Sequence, residues 1–155
     1  MFHAFIGTGQ VVAFKDNDVL CYEFALRWAQ ERGDTRKVEQ LKRLGPPPYY
    51  GDGVAQKEAA FLLDTYEYMN QNPAVIRAGN TIRDIASQEY GLYDKLNYVR
   101  GALDTLNVVY PQLWDVDLRK QAVRLEAPDY FLIGRHDVNA PPALTEARSS
   151  FIRLP

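Results

Sequence analysis

The clearest signal of the fold lies near the carboxyl end of the chain: Ala127-Pro128-Asp129-Tyr130-Phe131-Leu132-Ile133-Gly134-Arg135-His136-Asp137. Its centre, residues 130–133, is a continuous apolar run bounded by Pro128 and Gly134. A short apolar run between two such breakers is typical of a buried strand in a parallel sheet, because both faces of such a strand are covered. The run therefore predicts a core strand that ends shortly before Asp137.

A second strand is predicted near the amino terminus, over residues 2–6, and it ends at Gly7-Thr8-Gly9. Nearly all of the region between the two strands, residues 16–121, has apolar side chains at helical spacing. The helices are expected over 18–32, 35–44, 54–70 and 73–86, from 92 to 106, as one turn over 117–121, and over 142–150. The predicted fold class is therefore mostly α with a small β component.

Several local signals set the expected helix ends. The side-chain oxygens of Asp16, Asn17 and Asp18 suit the start of the first helix, and Asp34 suits the start of the second. Pro111 is expected to interrupt the stripe formed by Leu92, Leu96, Val99, Leu103 and Leu106. Two lone strands do not make a stable sheet, so the chain is expected to be part of something larger or to pair with another copy.

The residues around the predicted strands resemble those of α/β-hydrolases like the proline iminopeptidases. The likeness lies in residues 127–137 followed by Asn139-Ala140-Pro141, in residues 5–12, and in Gly45-Pro46-Pro47-Pro48-Tyr49. The resemblance implies a parallel sheet with a mostly helical cap inserted between two later strands. Residues 1–15 would then be a core strand and the entry to the cap, 16–121 the cap, and 122–155 a core strand, the acid loop and a partial helix. The expected architecture is an incomplete α/β-hydrolase fold.

The resemblance also implies a catalytic role for Asp137, as the acid of a Ser–acid–His triad. In this fold the serine precedes the acid and the histidine follows it. The serines, Ser87, Ser149 and Ser150, lack the flanking glycines of a nucleophile elbow, and no histidine follows His136. His136 itself precedes Asp137 directly, and adjacent residues on an extended segment point in opposite directions. The chain is therefore expected to be inactive alone.

Two functional hypotheses follow. The first is a fragment of a serine hydrolase that acts on an ester or on the amide bond of a small peptide, with Asp137 as its acid. The alternative is a non-catalytic helical binding or assembly module derived from the cap. Asp137 also has an alternative interpretation: it could be a loop aspartate that caps the helix starting near Pro141.

Composition limits the partners that we expect. The net charge of −2 without a basic cluster argues against a nucleic-acid partner, and no apolar run approaches the roughly 20 residues that span a membrane.

The single cysteine, Cys21, cannot form an internal disulfide and gives no evidence of a metal site. We expect it to be a buried small side chain in a cytoplasmic protein. No cofactor is expected, and exposed strands predict self-association. Trp28, Trp114 and the tyrosines could line a pocket, but packing between helices is the favoured role. These tyrosines are Tyr66, Tyr68, Tyr90, Tyr93 and Tyr98.

Overall fold

The structure, a computed structural model, describes residues 3–71, 88–121 and 127–149, with side chains as far as residue 147. The elements in these ranges are β1 (Phe5–Thr8), α1 (Phe14–Glu31), α2 (Thr35–Leu44), α3 (Val54–Asn70), α4 (Leu92–Leu113), α5 (Leu118–Gln121), β2 (Asp129–Leu132) and α6 (Pro142–Ser149). The prediction of a mostly α fold with a small β component is confirmed. The helix expected over 73–86 lies outside the described residues.

The two strands pair with each other in parallel, and their register runs from Phe5 opposite Asp129 to Thr8 opposite Leu132. Gly7 lets the ring of Phe131 lie close to the strand, because a Cβ there would be only 3.0 Å from that ring. Parallel pairing brings the carboxyl ends of β1 and β2 to the same edge of the sheet. The loops that follow the strands, which contain Gly9 and Asp137, therefore lie side by side.

The main apolar core lies among α1, α2 and α3, inside the region predicted to be the cap. Its buried members are Cys21, Tyr22, Ala25, Leu41, Tyr49, Val54 and Phe61. The Tyr22 hydroxyl donates a hydrogen bond of 2.8 Å to the carbonyl of Leu41, so its polar end is satisfied within the core. These three helices thus pack on one another rather than on the sheet.

The start of α1 differs from the prediction. The helix begins at Phe14 with Ala13 as its N-cap, so Asp16, Asn17 and Asp18 lie inside the helix and do not cap it. The preceding residues pair with the chain around 116–118: Phe14 N–H donates to the Val116 carbonyl, and Leu118 N–H donates to the Val12 carbonyl. This pairing fixes the helix start, and it leaves the three polar side chains free for tertiary contacts.

Helix α4 also differs from the prediction, because it continues through Pro111 and ends at Leu113. A proline so close to the end of a helix removes one backbone donor from the last turn only. The expected apolar stripe is largely exposed: Leu92, Leu96 and Val99 keep 74%, 54% and 48% of their surface. Among the described residues, neither this helix nor any other has the length and apolar character needed to cross a membrane.

Candidate functional site

Asp137 lies in the turn that follows β2, and its carboxylate is held by the backbone. Oδ1 accepts hydrogen bonds from the N–H groups of Asn139, at 2.9 Å, and Ala140, at 2.8 Å. The Asp137 N–H donates to the carbonyl of Gly134 at 3.0 Å. Helix α6 begins two residues after Ala140, so these bonds fix the turn before the helix and do not cap the helix itself.

The second oxygen of Asp137 faces the end of β1. A Cβ built on Gly9 would lie 3.8 Å from Asp137 Oδ2. Within residues 3–71, 88–121 and 127–147, this oxygen has no hydrogen-bond donor. His136 is exposed, and the described contacts include no hydrogen bond between it and Asp137. Oδ1 is therefore fixed by backbone hydrogen bonds, and Oδ2 can accept a hydrogen bond from a donor outside these segments.

Two side chains of α1 attach the Asp137 turn to the helical region. The Asn17 amide donates to the carbonyl of Asn139 at 3.0 Å, and the Cys21 thiol donates to the carbonyl of Val138 at 3.3 Å. Cys21 is fully buried, as predicted. Burial, together with the neighbouring acids Asp18, Asp137 and Glu58, raises the pKa of its thiol, so Cys21 is poorly suited to act as a nucleophile.

A pair of buried acids, Asp18 on α1 and Glu58 on α3, was not predicted from the sequence. The two residues are only 1% and 2% exposed. Asp18 Oδ1 accepts a hydrogen bond from the amide of Asn17 at 3.3 Å. In the part of the chain that the structure describes, both Glu58 oxygens and Asp18 Oδ2 have no hydrogen-bond partner.

The acid pair has no counterion among the described residues, since no Lys, Arg or His there forms an ion pair with Asp18 or Glu58. Burial, and then the charge of Asp18, raises the pKa of Glu58 to about 9. Burial raises the pKa of Asp18 to about 6, while the neighbouring Asn17 amide and Tyr110 hydroxyl oppose the rise. Of the two acids, Glu58 therefore has the stronger tendency to hold a proton at neutral pH.

The acid pair lines a cavity of about 350 Å³ between α1, α3 and α4. Most of its wall is apolar or aromatic, from side chains such as Phe14, Leu62, Leu106 and Tyr110. Asn139, which donates to Asp137, also lines it, so the cavity reaches the Asp137 turn. A second cavity, of about 540 Å³, lies on another side of the turn, against Tyr68, Met69, His136 and Asp137.

Both tryptophans are buried and pack between elements, which agrees with the prediction that they are packing residues. Trp28 lies edge-on to Tyr68 with ring centroids 5.8 Å apart, and the Trp114 indole N–H donates to the Tyr49 carbonyl at 3.1 Å. The prediction that the other tyrosines pack between helices is wrong for four of them, because Tyr66, Tyr90, Tyr93 and Tyr98 are exposed. Tyr66 also lines the smaller cavity. The described His, Cys, Asp and Glu side chains form no group that could hold a metal ion.

Comparison of the chain with models of known protein families, with curated proteins and with solved structures finds no match. The likeness to the α/β-hydrolases is therefore carried by the residues alone, and membership of that family stays a prediction.

Proposed function

We propose that the chain is the cap and the acid-bearing part of a serine hydrolase of the α/β-hydrolase type, with Asp137 as the triad acid. The observation that carries the proposal is the geometry of that carboxylate. It lies just beyond the carboxyl end of a parallel strand, where open α/β sheets bind their ligands. Its Oδ1 accepts two backbone N–H bonds, and its Oδ2 has no donor among the described residues.

A carboxylate held in this way suits the acid role in acyl transfer. The acid keeps the imidazole in the reactive tautomer and stabilises the imidazolium that forms when the serine gives up its proton. In this proposal, Oδ2 accepts the N–H of the imidazole, and the nucleophile and base belong to sequence beyond these 155 residues. The helical region would exclude water and select the substrate.

The buried acid pair favours one substrate class, the amide of a small peptide with a free amino group, over a simple ester. Unpartnered buried carboxylates are costly, and an ammonium group would supply the missing counterion. The apolar side chains of the cavity, such as Phe14 and Leu62, would hold the adjoining side chain of the substrate.

The substrate preference can be tested on the chain as it stands. Calorimetric titration should detect binding of leucine β-naphthylamide, and N-acetylation of its amino group should weaken binding roughly 10-fold or more, the value of a hydrogen bond to a charged group. The double variant D18N/E58Q should lose this preference, whereas Glu39→Gln, at an exposed site on α2 that is paired with Arg43, should keep it. Equal binding of the two compounds would refute the amine assignment.

The alternative, a non-catalytic helical module, is favoured by the core that α1, α2 and α3 form among themselves. The coding sequence on either side of the chain discriminates the two functions. A Gly-x-Ser-x-Gly motif before the chain and a histidine after it would support the hydrolase, and their absence would support the module.

We also propose a cytoplasmic location, because an unpaired thiol such as that of Cys21 is typical of a reducing compartment.

A further inference from the structure

Helix α4 has an apolar stripe whose amino-terminal end is exposed. The stripe consists of Leu92, Leu96, Val99, Leu103 and Leu106. At its carboxyl end the helix packs on α3, since Leu106 lines the cavity between α1, α3 and α4. Farther from that cavity, Leu92, Leu96 and Val99 are exposed, and no residue of α4 is buried. The amino-terminal half of the stripe is therefore available to a partner.

The spacing of the stripe indicates what kind of partner fits it. The five residues follow one another at intervals of 4, 3, 4 and 3 positions, which is the heptad pattern of a coiled coil. Residues 92, 99 and 106 take the d positions, and residues 96 and 103 take the a positions. An apolar period of about 3.5 residues matches a second helix that lies nearly along the first and winds around it with a left-handed supercoil. The surface therefore fits a helix.

The residues beside the stripe favour one orientation of two identical helices. Tyr93 and Arg100 take e positions, and Lys95 takes a g position. In a parallel pair a g residue faces the e residue five positions later on the other helix, so Lys95 would face Arg100, and the two cations would repel each other. In an antiparallel pair e positions face e positions. Tyr93 of each copy would then face Arg100 of the other, and the aromatic ring attracts the guanidinium.

The antiparallel pairing also matches the apolar residues of the two copies. Leu92 of each helix would lie opposite Leu103 of the other, and Leu96 opposite Val99, which gives the two-fold symmetry of a homodimer. A shift by one heptad would bring the two copies of Arg100 together, and their repulsion disfavours it. With the flanking contacts, the pairing would cover on the order of 1,000 Å² in total, the size at which a specific interface begins.

We propose that the amino-terminal half of α4 is the interface of an antiparallel homodimer. The stripe is self-complementary, so a second copy of the chain covers it without any further partner. The proposal uses neither Asp137 nor the buried acid pair, so it goes beyond the proposed function and can fail or hold independently of it. It also concerns a different surface from the paired strands β1 and β2.

Sedimentation velocity on the full chain tests the interface, with Ile6→Lys as the background that suppresses association through the strands. As the concentration rises through the micromolar range, this variant should reach twice the 17.7 kDa mass of one chain. Adding Leu96→Glu should weaken dimerisation roughly 10-fold or more, since it places a charge at the centre of the pairing. Val108→Glu is the matched control, because Val108 lies on the opposite face of α4, is 64% exposed, and should leave the dimer intact.

Disulfide crosslinking tests the orientation, because the native Cys21 is buried and does not interfere. On mild oxidation a mixture of Leu92→Cys and Leu103→Cys chains should crosslink, whereas Leu92→Cys alone should not. Efficient crosslinking of Leu92→Cys alone would show a parallel pair and would overturn the antiparallel assignment.

A monomer in the Ile6→Lys background throughout the micromolar range would overturn the interface, and the stripe would then face some other helix. Equal weakening by Leu96→Glu and Val108→Glu would overturn it as well. If Leu96→Glu does not fold cooperatively, Leu92→Lys replaces it. Leu92 is 74% exposed, so this substitution should leave the fold intact and should weaken the dimer in the same direction.

Discussion

Glu58→Gln should change how the stability of the chain depends on pH. Glu58 is 2% exposed, and burial raises its pKa from the ordinary value of 4.5 to about 9. Between these values the folded chain holds a proton at Glu58 that the unfolded chain has lost. The stabilisation is therefore complete below 4.5 and falls as the pH rises toward 9.

The size of the effect follows from proton linkage. One proton held only by the folded state changes the free energy of unfolding by about 1.4 kcal/mol per pH unit, so the wild type should lose about 3 kcal/mol between about pH 6 and about pH 8. For a chain of this size the loss lowers Tm by about 5–10 °C. Glutamine has nearly the same shape as protonated glutamate and does not ionise, so the stability of Glu58→Gln should vary much less over this range.

Urea unfolding followed by circular dichroism at the two pH values measures the difference, and Glu39→Gln is the matched control. Glu39 lies on the exposed surface of α2, so its variant should keep the pH dependence of the wild type. Equal pH dependence in the wild type and in Glu58→Gln would mean that Glu58 is hydrated and ionised at neutral pH, contrary to this prediction.

Two further predictions concern the chain as a whole. The purified chain should not hydrolyse p-nitrophenyl acetate or an aminoacyl-naphthylamide, because in the proposed assignment it supplies only the acid of the triad; turnover that survives purification and disappears in Asp137→Asn would contradict this. The chain should also self-associate at micromolar concentration, because Ile6, Tyr130 and Leu132 on the paired strands keep 62%, 56% and 63% of their surface. Sedimentation should give a mass above 17.7 kDa for the wild type, a smaller one for Ile6→Lys, and no change for Glu39→Lys; a wild-type monomer would refute it.

Much of the helical region could be predicted because its signals are local. Asp34 caps α2 as expected, with its side chain accepting from the Lys37 N–H at 3.0 Å, and Gly45 follows the helix end. The bounds of α3 also agree with the prediction. The start of α1 could not be predicted in this way, because it depends on backbone pairing with residues about 100 positions later in the chain.

The buried acid pair was missed for a related reason. The predicted apolar face of α3 contains Ala55, Ala59 and Leu62. Glu58 lies three residues after Ala55 and three before Phe61. A carboxylate at helical spacing within an apolar stripe is therefore the sequence feature that could have indicated a buried acid. The sequence around Asp18 predicts a helix cap, and only the tertiary packing of α1 on α3 brings the two acids together.

The proposed role of Asp137 as the acid of a serine hydrolase can be tested by the kinetics of the protein that is encoded when the reading frame is extended on both sides. The extended protein should hydrolyse leucine β-naphthylamide, and Asp137→Asn should lower kcat by roughly 10⁴-fold with little change in the far-UV circular dichroism. An extended protein that is active with Asp137→Asn unimpaired, or a frame that encodes neither a Gly-x-Ser-x-Gly motif nor a later histidine, would contradict the account.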